Sequence, residues 1–361
     1  MVIEDKKYSF DRDLIGYGQQ GRNAEWPGGA RIAVSICVNY EEGAESTVLN
    51  GDGQSEIMNW EKGNAPSSRV FLAGRKDATN TGGPAFVNAR QPNVESEYAY
   101  GSRSGIWRLL RLFAEHSFPF TLLAVGQALE MNPAVAKACV EAGHEIAGHG
   151  YRWLDCRDLP PAEEKENVKR AIRAIQETAG VDPAGWYVGR ISPNSVGVVW
   201  EAFEEMGLHL VWQSDFYADD VPVWTHLPAG LVGVQEEQQA AAQRRQQQQG
   251  KPEKPKEEGL LHVPYSYDCN DMKFHFAADG FGGASFYEYL VDAFDMLYEE
   301  GGKMMSIGIH ARIVGKPGRA RQLQRFLNYI SSKPGVWVCT RADIARHWRN
   351  KFPYQPVSGQ D

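Results

Sequence analysis

The alternation of short apolar runs with amphipathic helical segments is the feature that most restricts how this 361-residue chain can fold. Residues 31–40 (RIAVSICVNY) are typical of a strand buried on both faces, and residues 104–116 (SGIWRLLRLFAEH) have helical spacing of apolar side chains. The same order recurs later, where residues 304–310 (MMSIGIH) precede a helical segment at 321–330. Repeated strand–helix units of this kind predict a mainly parallel sheet with right-handed crossovers.

The number of strand-like runs favours a closed or nearly closed sheet. Besides the two runs above, the candidate strands are residues 120–125, 144–148, 185–189, 208–214, 260–266 and 336–340. Seven or eight mostly parallel strands with helices between them predict an irregular (β/α) barrel-like fold in a single domain over residues 1–361. Residues 43–95 are expected to be largely loop. Residues 235–258, rich in Gln, Lys, Glu and Pro, are expected to form a disordered or partly helical surface insertion.

Composition excludes several classes of protein. The apolar fraction of 42% and the charged fraction of 23% are those of a soluble globular chain with a sizeable core. A formal net charge of −8 argues against a nucleic-acid partner, and no apolar run is long enough to span a bilayer. The N-terminus shows no apolar signal region, and the five cysteines follow no disulfide or metal spacing. Together these features predict a cytoplasmic protein with reduced thiols.

Polar residues that follow the predicted strands are the candidates for chemistry, because the carboxyl ends of parallel strands carry the active site in a barrel. Glu41 and Glu42 follow the first strand, His149 follows the third, and His310 closes the run at 304–310. Further polar residues lie at the same expected end: Asn39, Arg190, Asp215, Asn270, Asp271 and Arg312. This set predicts a hydrolytic site. Since no GxSxG, Walker A or HExxH motif is present, water attack assisted by a carboxylate or histidine is the mechanism left.

Four short motifs resemble those of the polysaccharide deacetylase superfamily, the NodB-homology enzymes. The stretch NYEEG (39–43) stands where that family has a TFDDG-like motif, which implies Glu41 as catalytic base and Glu42 at the position of a metal-binding aspartate. HGYRW (149–153) resembles the family's H-[ST]-x-x-H motif but has Trp153 in place of the second histidine. RISPN (190–194) resembles its arginine–proline motif, and SIGIHAR (306–312) supplies its late catalytic histidine.

Longer blocks are similar to one subgroup, the cofactor-independent (PuuE-type) allantoinases, in which HGYRW with tryptophan is the expected pattern. These blocks run almost end to end and include RDLIGYG, WPGGARIA, NYEEGAE, EYAYGSRSGIWRLL, GHEIAGHGYRWLD, GWYVGR, YDCNDMKF, AFDMLYEEG, MMSIGIHAR and DIARHW. The resemblance implies hydrolysis of the allantoin ring to allantoate in purine breakdown, without a metal or other cofactor. It also implies a small cyclic amide as substrate and a homo-oligomer.

A mechanism without a metal needs a general base whose pKa is raised toward neutrality, and burial beside a second carboxylate would do this for Glu41. His149 or His310 would orient the water or protonate the leaving ring nitrogen. Six residues are expected to contact the substrate: Trp153 as an apolar wall, and five by their polar groups, namely Asn39, Arg190, Asp215, Asn270 and Asp271.

Two other functions remain open on the sequence. A metal-dependent deacetylase or amidohydrolase would need a further ligand, for which Asp155, Asp215 and Glu45 are the candidates. A catalytically inactive protein that retains the barrel would bind a ligand without turnover, although the presence of Glu41, His149 and His310 counts against it.

Overall fold

A computed structural model describes residues 4–56, 85–232, 259–275 and 283–355. The predicted insertion at 235–258 lies outside these residues. Their strands are β1 (Ile32–Tyr40), β2 (Thr121–Ala124), β3 (Glu145–Gly148), β4 (Gly185–Trp186), β5 (Trp212–Gln213), β6 (Val223–His226), β7 (Gly259–His262), β8 (Lys303–His310) and β9 (Val336–Val338). Each predicted strand is therefore present, although β4 and β5 are only two residues long.

One curled sheet contains all nine of these strands, in the order β6-β7-β5-β4-β3-β2-β1-β8, with β9 paired to the first residues of β1. The pairings are parallel except that of β6 with β7. The expected irregular, barrel-like and mostly parallel architecture is confirmed. The sequence reading missed β6, whose residues are only partly buried and carry no continuous apolar run.

The helices are α1 (Pro92–Tyr100), α2 (Ile106–His116), α3 (Gly126–Met131), α4 (Pro133–Glu141), α5 (Pro161–Ala179), α6 (Ser195–Glu205), α7 (Met272–His275), α8 (Gly283–Glu300), α9 (Pro317–Ser331) and α10 (Arg341–Lys351). A π-helical turn, Gly101–Gly105, joins α1 to α2. The region 43–95 was expected to be loop, but α1 begins inside it at Pro92, where proline suits the first helical turn.

Both faces of β1 are buried, which explains its unbroken apolar sequence. Ile36 and Val38 pack in the outer cluster with the helices, whereas Ala33 and Cys37 belong to the cluster inside the curled sheet. A parallel strand covered on both sides has no solvent-facing residues, so the usual alternation of polar and apolar side chains disappears.

Short links join the two edges of the curled sheet. Asn270, which follows β7, forms an isolated parallel bridge with Gly308 of β8. The N–H of Met304 in β8 donates to the carbonyl of Asp220, which precedes β6, at 2.8 Å. These links bring the segments that follow β7 next to the carboxyl end of β8, where candidate site residues lie.

All five cysteines are free thiols, as their spacing predicted. Among the described residues, no helix has the length and apolar character needed to cross a membrane.

Candidate active site

Glu41 lies at the centre of a cluster of charged side chains just past the carboxyl end of β1. It is 1% exposed. Its Oε1 lies 3.1 Å from Nε2 of His149 and 3.6 Å from Nε2 of His310, and its Oε2 lies 2.6 Å from Nη1 of Arg312. Because β1 pairs in parallel with β8, and Asn39 is opposite His310 in the register, the two strand ends deliver these groups to one point. The structure thus brings together three of the predicted catalytic residues.

The charge state of Glu41 differs from the expectation. Burial by itself raises the pKa of this carboxyl, but the positive charge of Arg312 and the contacts with His310 and His149 outweigh it. The pKa therefore lies well below the ordinary value for a glutamate. The prediction of a Glu41 pKa raised toward neutrality is wrong, because a neighbouring arginine, not the second carboxylate, dominates its surroundings.

Glu42 has the raised pKa that was expected of Glu41. Burial raises its pKa to about 7, with Arg312 opposing and Glu41 adding to the shift. The carboxylate accepts the backbone N–H of Glu41 at 2.9 Å and that of Arg312 at 3.1 Å. A Cβ at Gly101 would lie 2.1 Å from Oε1 of Glu42, so the π-helical turn can pack here only with glycine. Glu42 therefore joins the end of β1 to the turn that carries Arg312.

His310 is held by a carboxylate on each side of its ring. Its Nδ1 lies 2.7 Å from Oδ1 of Asp271, while Oδ2 of Asp271 accepts the backbone N–H groups of His310 and Val314 at 2.8 and 3.2 Å. Burial lowers the pKa of His310, but Asp271 and Glu41 raise it overall to about 10, so the ring is an imidazolium at neutral pH. Asp271 was expected to contact substrate; its oxygens instead accept hydrogen bonds from the protein, and it orients His310.

A hydrogen bond of 3.1 Å joins Nε2 of His149 to Oε1 of Glu41. Nδ1 of His149 lies 2.5 Å from the carbonyl oxygen of Tyr187, which can only accept, so Nδ1 carries a hydrogen. Nε2 faces the Glu41 carboxylate, and a hydrogen bond there requires a proton on one of the two atoms. The His149 ring also stacks on Tyr187, with centroids 5.4 Å apart, which fixes its plane. This arrangement can deliver a proton to a leaving group.

Asn39, Asn270 and Asp215 were expected to contact substrate, but the structure assigns them to internal hydrogen bonds. The amides of Asn39 and Asn270 both donate to the Tyr265 hydroxyl, at 3.1 and 3.0 Å. The Asp215 carboxylate accepts the backbone N–H of Gly189 at 2.6 Å. These contacts hold in place the Tyr265 side chain and the backbone segment that precedes Arg190.

Two arginines lie over the indole of Trp153, which is 5% exposed. The guanidinium carbon of Arg190 is 3.3 Å from a ring centroid of Trp153, and that of Arg312 is 5.1 Å away. Arg312 also lies 4.4 Å from the centroid of the Tyr98 ring. The backbone N–H of Trp153 donates to the carbonyl of Ala44 at 3.2 Å, which holds this loop against the one after β1. Trp153 thus packs against two cations.

The residues do not fit a catalytic zinc ion. Within the described parts of the chain, no group of three His, Cys, Asp or Glu side chains could hold a metal. Trp153, which stands where the motif resemblance implies a histidine ligand, cannot bind a metal, and the Arg312 guanidinium lies 2.6 Å from the Glu41 carboxylate.

The alternative ligands considered from sequence are committed to other contacts. Asp155 pairs with Arg157 at 2.6 Å, Asp215 accepts backbone N–H groups, and Glu45 accepts the N–H of Gly43 at 2.7 Å. None of the three completes a metal site with His149.

Arg312 is the residue of the Glu41 cluster to which the sequence analysis assigned no specific role. Its position two residues after His310 was visible, but its contact with Glu41 depends on the pairing of β1 with β8. Tyr187 and Tyr265 were also missed as supports of His149 and the two asparagines. No sequence signal distinguishes such tyrosines from ordinary core residues.

The curled parallel sheet and a carboxylate–histidine centre at its strand ends define a hydrolase of the deacetylase type. Residues 88–211 match the family model described as polysaccharide deacetylase. A Schizosaccharomyces pombe protein named "Putative polysaccharide deacetylase" is 39% identical over 353 residues, covering 95% of this chain and 98% of that protein. The chain belongs to the polysaccharide deacetylase family.

Two solved structures are similar over almost the whole chain. A crystal structure of a "probable Polysaccharide deacetylase" from Pseudomonas aeruginosa PAO1 is 40% identical, with a TM-score of 0.76, and covers 96% of this chain and 100% of that one. The crystal structure of PuuE allantoinase is 39% identical, with a TM-score of 0.77 and the same coverage. These relatives carry names that imply different substrates.

Proposed function

We propose that this protein opens the ring of a cyclic amide, with allantoin the first candidate, by attack of water on a ring carbonyl without a metal ion. The observation that carries the proposal is the buried Glu41 carboxylate, held by Arg312 and two histidines where a deacetylase would hold a metal. The similarity to PuuE allantoinase supports the choice of substrate. The reaction is a purely hydrolytic one.

The proposed reaction transfers two protons. Water attacks the ring carbonyl carbon and a C–O bond forms while Glu41 accepts a proton from the water. The ring C–N bond then breaks, and the nitrogen takes the proton held at Nε2 of His149. The proton on Glu41 passes to His149 and restores the pair. Each such transfer is worth about 10²–10⁴ in rate.

The low pKa of Glu41 makes it a weak base while all its cationic neighbours are present. A weakly held proton is returned readily: once His149 has protonated the ring nitrogen, its Nε2, 3.1 Å from Oε1 of Glu41, accepts the proton that Glu41 took from water. His310 stays charged throughout and limits the build-up of negative charge. A strained or activated ring also needs less acceleration than an acyclic acetamide.

Deacetylation of an N-acetylated sugar polymer is the second candidate, favoured by the names of the relatives in Schizosaccharomyces pombe and Pseudomonas aeruginosa. Its usual chemistry needs a metal that the described residues do not fit. It therefore ranks below ring opening.

A substrate panel tests the proposal. The full-length protein is assayed with allantoin, succinimide and an acetylated chitin oligomer, and ring opening is followed by release of the ureido or amide acid. We expect turnover of a cyclic amide that is lost in Glu41→Gln but kept in Glu163→Gln, whose carboxylate lies in the exposed first turn of α5. Release of acetate from the oligomer with no ring opening would favour the deacetylase, and binding without any turnover would indicate an inactive barrel.

A cytosolic setting and a homo-oligomer complete the proposal. The free cysteines suit a reducing compartment. Sedimentation of the purified protein would determine the oligomeric state.

A further inference from the structure

We infer that the guanidinium of Arg312 takes the place and the charge of the metal ion that the deacetylase motifs imply, and stabilises the anionic intermediate of ring opening. The second half of this inference rests on the proposed function. The first half concerns only where positive charge resides in the site.

Arg312 contacts both carboxylates of the Glu41–Glu42 pair. Its Nη1 lies 2.6 Å from Oε2 of Glu41, and its backbone N–H donates to Oε1 of Glu42 at 3.1 Å. These are the two residues that the motif pattern assigns to the base and to a metal ligand. Arg312, which is only 6% exposed, thus supplies a cation to Glu41, the carboxylate that would otherwise lie beside the metal.

The aromatic residues fix the guanidinium in this position. Arg312 lies 4.4 Å from the Tyr98 ring centroid and 5.1 Å from that of Trp153, so the residue in the position of the second histidine contributes to binding the replacement cation. Cation–π contacts of this kind favour a planar guanidinium over an ammonium group. The change from histidine to tryptophan therefore has two effects: it removes a ligand and it supports an arginine.

A guanidinium and a divalent ion cannot both occupy this space at low cost. Both are positive, both are drawn to Glu41, and charge repulsion is strong where water is largely excluded. Adding a histidine at position 153 alone should therefore give only weak zinc binding.

In the reaction, the electron pair of the attacked C=O bond moves to oxygen when water adds to the carbon. The resulting oxyanion is stabilised by the positive charge of Arg312. Collapse of this intermediate reforms the C=O bond and breaks the C–N bond, while the nitrogen receives the His149 proton. Arg312 gains and loses no proton.

Zinc titration calorimetry on three variants tests the position of the cation. Trp153→His alone should bind zinc weakly, and Trp153→His combined with Arg312→Ala should bind it at least about 100-fold more tightly, because the competing charge is gone. The matched control combines Trp153→His with Arg190→Ala, which removes the other arginine near the indole and should gain nothing. Equal zinc binding by the single variant and the Arg312 double variant, or none by either, would overturn the inference.

Chemical rescue keeps the inference testable if the double variant does not fold. Arg312→Ala should lose at least about 100-fold in kcat on a cyclic amide and regain part of it with millimolar guanidinium chloride, but not with urea, which has a similar shape and no charge. Equal effects of the two additives would contradict the role of charge. If the parent protein opens no ring, the proposed function fails, while the zinc titration still decides where the cation lies.

Discussion

Two buried arginines, Arg312 and Arg341, have different surroundings: one pairs with a carboxylate of the candidate site, and the other donates to neutral groups inside the curled sheet. Arg312 is 6% exposed and pairs with the carboxylate of Glu41. Arg341, at the start of α10, is fully buried, and its guanidinium donates to neutral acceptors: the hydroxyls of Ser214 and Ser306 at 2.9 Å each, and the carbonyls of Val263 and Pro264.

The difference lies in what each charge acts upon. Arg341 joins segments after β5 and β7 to β8, and its backbone N–H donates to Thr121, the first residue of β2, so it closes the curled sheet from within. Arg312 holds the Glu41 carboxylate ionised, and in the proposed mechanism this carboxylate accepts a proton from water. Loss of Arg341 should therefore affect folding first, and loss of Arg312 should affect turnover first.

The largest expected effect comes from substituting Glu41, the residue that pairs with Arg312. Glu41→Gln removes the proton acceptor and should lower kcat on the cyclic amide by about 10⁴-fold. Steady-state kinetics measure this, and circular dichroism should show an intact fold, because glutamine has nearly the same shape. Activity within tenfold of the parent would remove Glu41 from the mechanism.

Arg341→Met tests whether Arg341 stabilises the fold. It removes the guanidinium donors from the carbonyl of Pro264 and from that of Val263, which keeps the Ser214 hydroxyl at 2.8 Å, and should lower the free energy of unfolding by about 3 kcal/mol or more. Urea denaturation measures the loss. Arg346→Met is the control, since this arginine lies on the same helix with its side chain 63% exposed and should change stability by less than about 0.5 kcal/mol. Similar stability of the two variants would show that Arg341 does not close the sheet.

Arg312→Gln should show the opposite behaviour. We expect kcat to fall by about 10²–10³-fold, while stability falls less than in Arg341→Met, because Glu41 keeps its contacts with His149 and His310. Kinetics and urea denaturation on the same preparations give both values. A variant that unfolds as readily as Arg341→Met but turns over normally when folded would reverse the comparison.

The smallest effect concerns pH. The pKa of His310 is raised from about 6.5 in the unfolded chain to about 10 in the fold, so its contribution to stability is complete below pH 6.5 and disappears as the pH rises through about 10. Asp271→Asn removes the main cause and should move the alkaline loss of stability and of kcat to lower pH. Thermal unfolding between pH 6 and 11 measures it; identical profiles for parent and variant would show that Asp271 does not hold the proton.

The fold was predictable because most of the buried strands lie in apolar runs and most of the described crossovers contain a helix, whereas the path from β5 to β7 contains β6. β1 and β8 are long and could be placed almost to the residue, whereas β4 and β5 hold two paired residues each and their predicted ends were too generous. The order of the strands in the sheet could not be predicted from the sequence, since it depends on which helices pack together.

The centre of the candidate site followed from the rule that parallel strands end at one edge, which placed Glu41, His149 and His310 together. The roles of Asp215, Asn270 and Asp271 did not follow, because a polar residue after a strand can serve the protein or a ligand and only its neighbours decide. For the same reason the role of Arg312 could not be predicted. Its partner Glu41 lies about 270 positions away in the chain and comes close to it only through the pairing of the strands.

In the proposed mechanism the positive charge at Glu41 comes from the protein itself, chiefly from Arg312. Turnover of allantoin and succinimide by protein treated exhaustively with chelator, with metal content measured in the same sample, tests it most directly. We predict ring opening at an undiminished rate with no stoichiometric metal. Activity that disappears with the chelator and returns with zinc would contradict the account.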